Sequence, residues 1–336
     1  MLYNIPIESL EERYSQQWNV WFPREFRTYL KDDFTTIHGE PLTNVIETGS
    51  FLDVCGTNYF KAGQLQEITR LCHAGMVKDG DIFFFHDLWF PGIEMLAYIR
   101  DGLGIDFKIC GILHAGTYDP YDFLAQRHMG RWGHDLENAW FQIIDKIFVA
   151  TQFHKDLICS SREIERHNIH VTGLPIYPDF VEDGLKRNIV VFPHRLDPEK
   201  NPERFDRLAR HFINRDDWLF IKSKNVCKTK QEYYKLLNDS RIAVSYANQE
   251  TWGIAQQEAV ICGCVPLVPD RLSYKEMYPD CFKYQRDWGV INILGQLFNS
   301  EKELLRLETR TADLGLDFIK KGKDAIPNMI RIMEEL

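Results

Sequence analysis

Two carboxylates, Glu250 and Glu258, flank a Trp252-Gly253 pair in the run SYANQETWGIAQQEAVICGCVPLVP. Glu250 precedes a helical pattern running from about Gly253 to Cys262, Glu258 lies inside it, and Gly263 suits the position after its last turn. A helix start offers unpaired backbone N–H groups and the positive end of the dipole, both of which favour an anion. A phosphate can approach closely at Gly253, which has no side chain. Glu258 stands roughly 7–8 Å further along the axis by helical rise, too far to repel that phosphate and placed to accept two hydrogen bonds from a vicinal diol such as ribose. Glu250 would face whatever is attached beyond the phosphates. A nucleotide-sugar lying along the helix start satisfies this spacing, with Thr251, Trp252 and Ile254 completing the contacts around Gly253.

Two carboxylates beside a diphosphate need cations. The run VVFPHRLDPEKNPERF supplies Arg195 and Lys200 at the end of an apolar strand. Their spacing across a proline-containing turn lets both reach one diphosphate, Arg195 as a fork and Lys200 as a point charge. Such a pair stabilises charge developing on a departing nucleotide diphosphate. The plainer alternatives are a solvated turn, with Arg195 and Lys200 paired to Asp197 and Glu199, and an exposed helix acid at Glu258.

The elements that must position these residues are βα alternations. DIFFFHDLWFPG reads as a strand ending near Phe85, a loop from His86 to Gly92 and a helix using Ile93, Leu96, Ala97 and Ile99. A strand in DFKICGILHAGTYDP stops near Leu113, DKIFVATQFHKDLI is a strand entering a helix, and NIHVTGLPIYPDF is a fourth strand. The alternation restarts with RNIVVFPHR, a helix from Pro202 to Phe212, the strand DWLFIKSK, a helix around Gln231 to Leu237, and RIAVSYA. Continuous apolar strands separated by helices indicate parallel sheets covered on both faces. The expected organisation is a Rossmann-like domain over 1–175, a linker over 176–188 carrying Pro178 and Gly184, and a second Rossmann-like domain over 189–315. A C-terminal helix over 316–336 would pack back on the first domain, with Pro327 breaking or kinking the pattern.

At 336 residues the chain exceeds one comfortable core. Its 44% hydrophobic and 26% charged content is that of a soluble globular protein, and at a net charge of −9 a strongly basic nucleic-acid footprint is absent, a local basic groove staying open. Eight scattered cysteines, with only Cys262 and Cys264 close and at a spacing unlike metal or redox pairs, read as free thiols in a reducing cytoplasm. No apolar run approaches transmembrane length, and the N-terminus has no signal-peptide core.

Arg195-x4-Lys200 followed by Glu250-x7-Glu258 and Gly263-Cys264-Val265-Pro266 resembles the retaining glycosyltransferases of the GT-B fold related to sucrose and glycogen synthases. The resemblance covers roughly Ile189 to Met277. It implies an α/β architecture of two Rossmann-like doubly wound domains facing across a cleft. It also implies that Arg195 and Lys200 bind the donor diphosphate, Glu258 the ribose and Glu250 the donor sugar; Ser223, in the turn after WLFI, is a candidate nucleotide contact outside that match. By the same resemblance His114, at a strand end in ILHAGTYDPYDF, lines the transfer site through its backbone carbonyl and a donor-sugar hydroxyl. The implied chemistry needs no metal and no protein nucleophile: attack comes from the front face, and the leaving phosphate oxygen takes the acceptor proton. The donor would be a UDP-sugar. In isolation His114 reads equally as a satisfied buried histidine.

The chain departs from that family in two places. Where the family has a glycine-rich loop after the first strand, this sequence has LYNIPIESLEERY, with Arg13 and Tyr14 as stand-ins. After WLFI a Gly-x-Gly turn is replaced by Lys222-Ser223-Lys224-Asn225. The lysines of IKSKNVCKTK read as a solvated surface. Asp87 reads as a helix N-cap and Trp89 as core, with acceptor contact the alternative; Asp119 and Asp122 read as turn and cap residues rather than metal ligands.

The N-terminal half, with RYSQQW, WFPREF, GTNYF and DLWFPG, resembles glycosyltransferase-like proteins of phages. This implies as acceptor a hydroxymethylated pyrimidine in DNA, a flipped base held by aromatic loops. A glycan, lipid or small-molecule acceptor stays open, as do a sugar-nucleotide epimerase or hydrolase and a non-catalytic nucleotide-sugar binder. A dehydrogenase is disfavoured, because Gly102-x-Gly104 follows a helix rather than a first strand. A glycosidase leaves the Arg195/Lys200 pair unexplained.

Overall fold

The computed structural model describes residues 1–9, 14–40, 54–162, 164, 166–182 and 184–336. Arg13 lies outside the described residues. The chain divides into two compact units, Met1–Pro175 with Asp324–Leu336, and Ile176–Lys323.

Unit 1 alternates β1 (Leu2–Ile5), α1 (Tyr14–Leu30), β2 (Phe34–Thr36), α2 (Val54–His73), β3 (Ile82–Phe85), α3 (Ile93–Leu103), β4 (Lys108–Ile112), α4 (Gly130–Ile143), β5 (Lys146–Val149), α5 (Gln152–Ser161) and β6 (Ile169–Val171). Its six strands are all parallel, in the order β2-β1-β3-β4-β5-β6. Parallel strands with helical crossovers bury both faces of the sheet. Phe83, Phe85, Ile109, Ile147 and Val149 accordingly sit in the core, and Phe84 meets Phe22 and Phe26 of α1.

Unit 2 continues with β7 (Arg187–Phe192), α6 (Pro202–His211), β8 (Leu219–Lys222), α7 (Ser223–Val226), α8 (Lys230–Asp239), β9 (Ser240–Val244), α9 (Ile254–Ile261), β10 (Val265–Pro269), α10 (Tyr274–Met277), β11 (Lys283–Tyr284), α11 (Asp287–Asn299) and the first part of α12 (Glu301–Met333), whose residues from Asp324 on belong to unit 1. Its parallel sheet has the order β11-β10-β9-β7-β8. In each sheet the order reverses beside the first strand, between β1 and β3 in unit 1 and between β7 and β9 in unit 2. Sheets of this kind bind ligands at such a switch point, outside the carboxyl ends of the strands.

Three local expectations change. The stretch 176–188 belongs to unit 2 by packing: Phe180 stacks on Tyr234 at 4.1 Å, and Asn238 Nδ2 donates to the Phe180 carbonyl. Pro327 does not end the terminal helix, because α12 runs through it from Glu301 to Met333. A proline removes one intrahelical hydrogen bond, and the buried Ala325, Ile326, Met329 and Ile330 around it hold the helix in place. Asp87 is not a helix cap. The residue before α3 is Gly92, while Asp87 accepts the Trp89 N–H and pairs with Lys61 at 3.2 Å.

Candidate active site

The carboxyl ends of β7 and β9 bring the sequence-predicted residues of unit 2 together. After Phe192 the chain turns through His194 and Arg195 into a short 3-10 turn, Pro198–Lys200, and enters α6 at Pro202. Lys200 is buried; its ammonium donates to the Gln249 carbonyl, to Gln249 Oε1 at 3.3 Å and to Glu250 Oε2 at 3.1 Å. Arg195 is the more open cation, its side chain one-third exposed at 33%. Its Nε pairs with Asp197 Oδ2 at 2.7 Å, and its guanidinium bonds Glu199 Oε1. The two cations therefore differ. Lys200 ties the loop after β9, and Arg195 sits in the self-paired turn that was the plainer reading.

Glu250 links these cations to α9. Its second oxygen, Oε1, accepts the Gly253 N–H at 2.9 Å. The Gly253 amide, expected to meet a phosphate, is thus occupied by the carboxylate; Ile254 and Ala255 begin the first turn, where N–H groups lack intrahelical partners. Gly253 has a φ of 74°, a left-handed conformation that favours glycine. Burial pushes the Glu250 carboxyl up, but the charge and hydrogen bond of Lys200, with Arg195 beside them, outweigh it and hold it below the usual range. The helix closes as expected at Gly263, whose N–H bonds Val260 O while Cys264 N–H bonds Ala259 O.

Glu258 is 3% exposed, not a surface acid. Its Oε1 accepts from Lys230 Nζ at 2.9 Å and from the Tyr234 hydroxyl at 2.8 Å, both from α8. Thr251, Trp252 and Ser223 are buried, Ser223 as the first residue of α7. Ile254 is the first residue of α9 and half-buried.

His114 lies in unit 1, just beyond β4. Its Nε2–H donates to the His86 carbonyl at 2.7 Å, and its ring lies 5.2 Å from Trp18 and 5.8 Å from Tyr14. Burial lowers its pKa, against the opposing pull of the nearby Asp87 carboxylate. His86 itself donates to Asn4 Oδ1 and is held at about 3 by burial. Asp119 and Asp122 accept the backbone N–H groups of Tyr121 and Leu124, as turn residues do. Among the described residues no cluster of three or more His, Cys, Asp or Glu forms a metal site, and no helix is long and apolar enough to cross a membrane. All eight cysteines are free thiols.

No protein-family model matches the chain. Its sequence is similar to a tRNA-queuosine alpha-mannosyltransferase of Drosophila melanogaster, 29% identical over 114 residues, spanning 27% of this chain and 30% of that protein. The chain thus matches about a third of the length of that curated relative. The structure is similar to sucrose-phosphate synthase from Thermosynechococcus elongatus, with a TM-score of 0.64 at 12% identity over 99% of this chain and 98% of that one. It is also similar to HepE of Anabaena in complex with UDP-glucose, at a TM-score of 0.64 and 9% identity, again over 99% and 98%. The fold is GT-B. Two parallel Rossmann-like sheets, each with its reversal beside the first strand, are the features shared with that fold.

Within the GT-B frame, four residues of unit 2 escaped the sequence reading. His194 precedes Arg195 at the same strand end; it is 2% exposed, and burial holds its pKa at about 3. Gln249 escaped because nothing local distinguishes a loop amide that binds Lys200. Lys230 and Tyr234 were passed over, Lys230 as surface charge. A signal existed: Thr229-x-x-Glu232 is a capping box and forms one here, which makes Lys230 the first residue of α8. Only the packing of α8 on α9 turns that residue toward Glu258.

Proposed function

We propose that the protein is a retaining, metal-independent glycosyltransferase that moves a hexose from a UDP-sugar to an acceptor hydroxyl. One observation carries the reading: at the switch point of unit 2, Lys200, Glu250 and the start of α9 form one hydrogen-bonded chain, with Arg195 beside it. The similarity to HepE, itself solved with UDP-glucose, supports the choice of donor.

In this reading Arg195 exchanges its internal carboxylate partners for the donor diphosphate, and the first-turn amides of α9 take a second set of phosphate oxygens. Lys200 keeps Glu250 ionised and oriented toward the hexose hydroxyls. Glu258 binds the ribose diol, and Ser223, Thr251, Trp252 and Ile254 wall the nucleotide. The bond between the sugar C1 and the phosphate oxygen breaks, and the acceptor oxygen bonds C1 on the same face. The acceptor proton passes to the departing phosphate oxygen, whose charge Arg195 and the helix start stabilise. His114 is an acceptor-side group of unit 1, present as the neutral imidazole.

The acceptor proposed is a hydroxyl on a modified nucleoside of a nucleic acid. The relative described as a tRNA-queuosine alpha-mannosyltransferase supports that class, and hydroxymethylpyrimidine DNA belongs to it. The free thiols fit a reducing, cytoplasmic setting.

The test is titration calorimetry with UDP and UDP-glucose, then UDP release with hydroxymethylcytosine DNA and with bulk tRNA as separate acceptors. Saturable UDP binding is expected, lost in Arg195→Ala by about tenfold or more, with α-linked product by NMR from an α-linked donor. No affinity for UDP or any nucleotide-sugar sinks the reading; donor hydrolysis or isomerisation without an acceptor would replace it with the epimerase or hydrolase alternative.

A further inference from the structure

A buried carboxylate needs both a charge partner and a reason to be there. Glu258 has the first in Lys230, whose ammonium also lies 4.8 Å from the Tyr234 ring and 5.0 Å from the Tyr233 ring. Tyr234 is in turn fixed by the parallel ring of Phe180, and Lys230 by the capping box that starts α8. Both donors end on the same oxygen, Oε1, which sets the rotation of the carboxylate, and the Tyr233 hydroxyl lies within reach of it as well. Joining α8 to α9 does not require this cluster, because Lys186 Nζ already donates to Leu237 O of α8 and to Cys262 O at the end of α9. The pair is also electrically neutral, so a diphosphate at the start of α9 is not opposed by a net negative charge one turn further on.

We propose that Lys230 and Tyr234 are positioning residues that hold Glu258 in the orientation that reads the ribose 2′- and 3′-hydroxyls of the donor, and so make binding depend on ribose over deoxyribose. This rests on the nucleotide-sugar reading above. Two charge-assisted hydrogen bonds on one carboxylate oxygen restrict it to one pose, and a restricted acceptor discriminates between a ligand with the 2′-hydroxyl and one without.

The test compares UDP with 2′-deoxy-UDP by titration calorimetry in the full chain and in Lys230→Met, Tyr234→Phe, Lys230→Arg and Glu258→Gln. The unaltered protein is expected to prefer UDP by about tenfold, the size of a lost hydrogen bond to a charged group. Lys230→Met and Tyr234→Phe reduce that preference to about twofold while affinity for 2′-deoxy-UDP changes little, and Lys230→Arg restores most of it. A purely structural role would instead weaken both nucleotides equally or leave the preference intact; either result overturns the proposal while the donor reading stands. If the unaltered protein binds neither nucleotide, donor reading and proposal fall together. Should Lys230→Met not fold, Tyr234→Phe, which removes only a hydroxyl, decides the matter.

Discussion

At the switch point of unit 1 the buried polar groups are mostly neutral. His86 donates to Asn4 with its ring among Trp18, Phe22 and Phe84, and His114 donates to the His86 carbonyl with its ring beside Trp18 and Tyr14. At the switch point of unit 2 they are the Lys200 ammonium and the largely buried Glu250 carboxylate, with the one-third-exposed Arg195 guanidinium beside them. The topology of the two sheets is of one kind, so the difference lies in what each strand end can afford to bury. Neutral imidazoles need only a hydrogen bond, whereas charges must be paired or answered by a helix start. Unit 2 does both, and in the proposed reading its charges exchange internal partners for an anionic ligand. Unit 1 has rings and neutral donors there, with the Asp87–Lys61 ion pair beside them.

The largest effect that sharpens this contrast is on each unit's own buried ion pair. Glu137 and Arg162 in unit 1 are 1% and 4% exposed, with Thr117 and the Trp89 indole bonded to the same carboxylate. Glu137→Leu strands a buried guanidinium and is expected to cost about 3–5 kcal/mol, measured as lost amide-exchange protection in unit 1 peptides. UDP affinity in unit 2 should persist below the new melting point. If UDP binding collapses while unit 1 stays protected, the two clusters are not separate in the way described.

Acid should separate the units next. His86 and His154 in unit 1 and His194 in unit 2 are each held at about 3 by burial. Each is neutral when folded and takes up a proton when unfolded below about 6.5. Their stabilisation is complete above that pH and is lost as pH falls toward 3, at about 1.4 kcal/mol per pH unit for each group. Unit 1 also holds His114 and His170, both lowered chiefly by burial. Between pH 6 and 5, exchange protection in unit 1 should fall at least twice as steeply as in unit 2. Equal slopes would remove the electrostatic distinction.

The smallest effect is conformational. Gly253→Ala places a side chain at a φ of 74°, with its new carbon 3.4 Å from Glu250 Cγ and from a Tyr274 ring carbon. A loss of about 1 kcal/mol is expected, seen as a melting point lower by a few degrees. An unchanged melting point would mean that the loop between β9 and α9 relaxes freely, and Glu250 would then be less firmly held than the Gly253 bond implies.

Local pattern made much of this legible. Apolar runs such as Phe83 to Phe85 and Val190 to Phe192 had to be buried strands, Gly263 had to close a helix, Arg195 and Lys200 had to follow a strand end, and Glu250 and Glu258 had to lie before and inside that helix, because periodicity and turn chemistry act over a few residues. Which partner each charge takes was not legible. Lys200 and Glu250 are fifty positions apart in sequence, Lys230 and Glu258 twenty-eight. Only the order of β7 beside β9, and the packing of α8 on α9, brings them within reach. Sequence by itself determined the elements and the residue types at their ends, since these follow from local hydrogen bonding and burial. The tertiary structure decided that Glu250 occupies the Gly253 amide, that Arg195 is paired within its own turn, and that Glu258 is a buried, braced carboxylate, since electrostatic partners are chosen by distance in space.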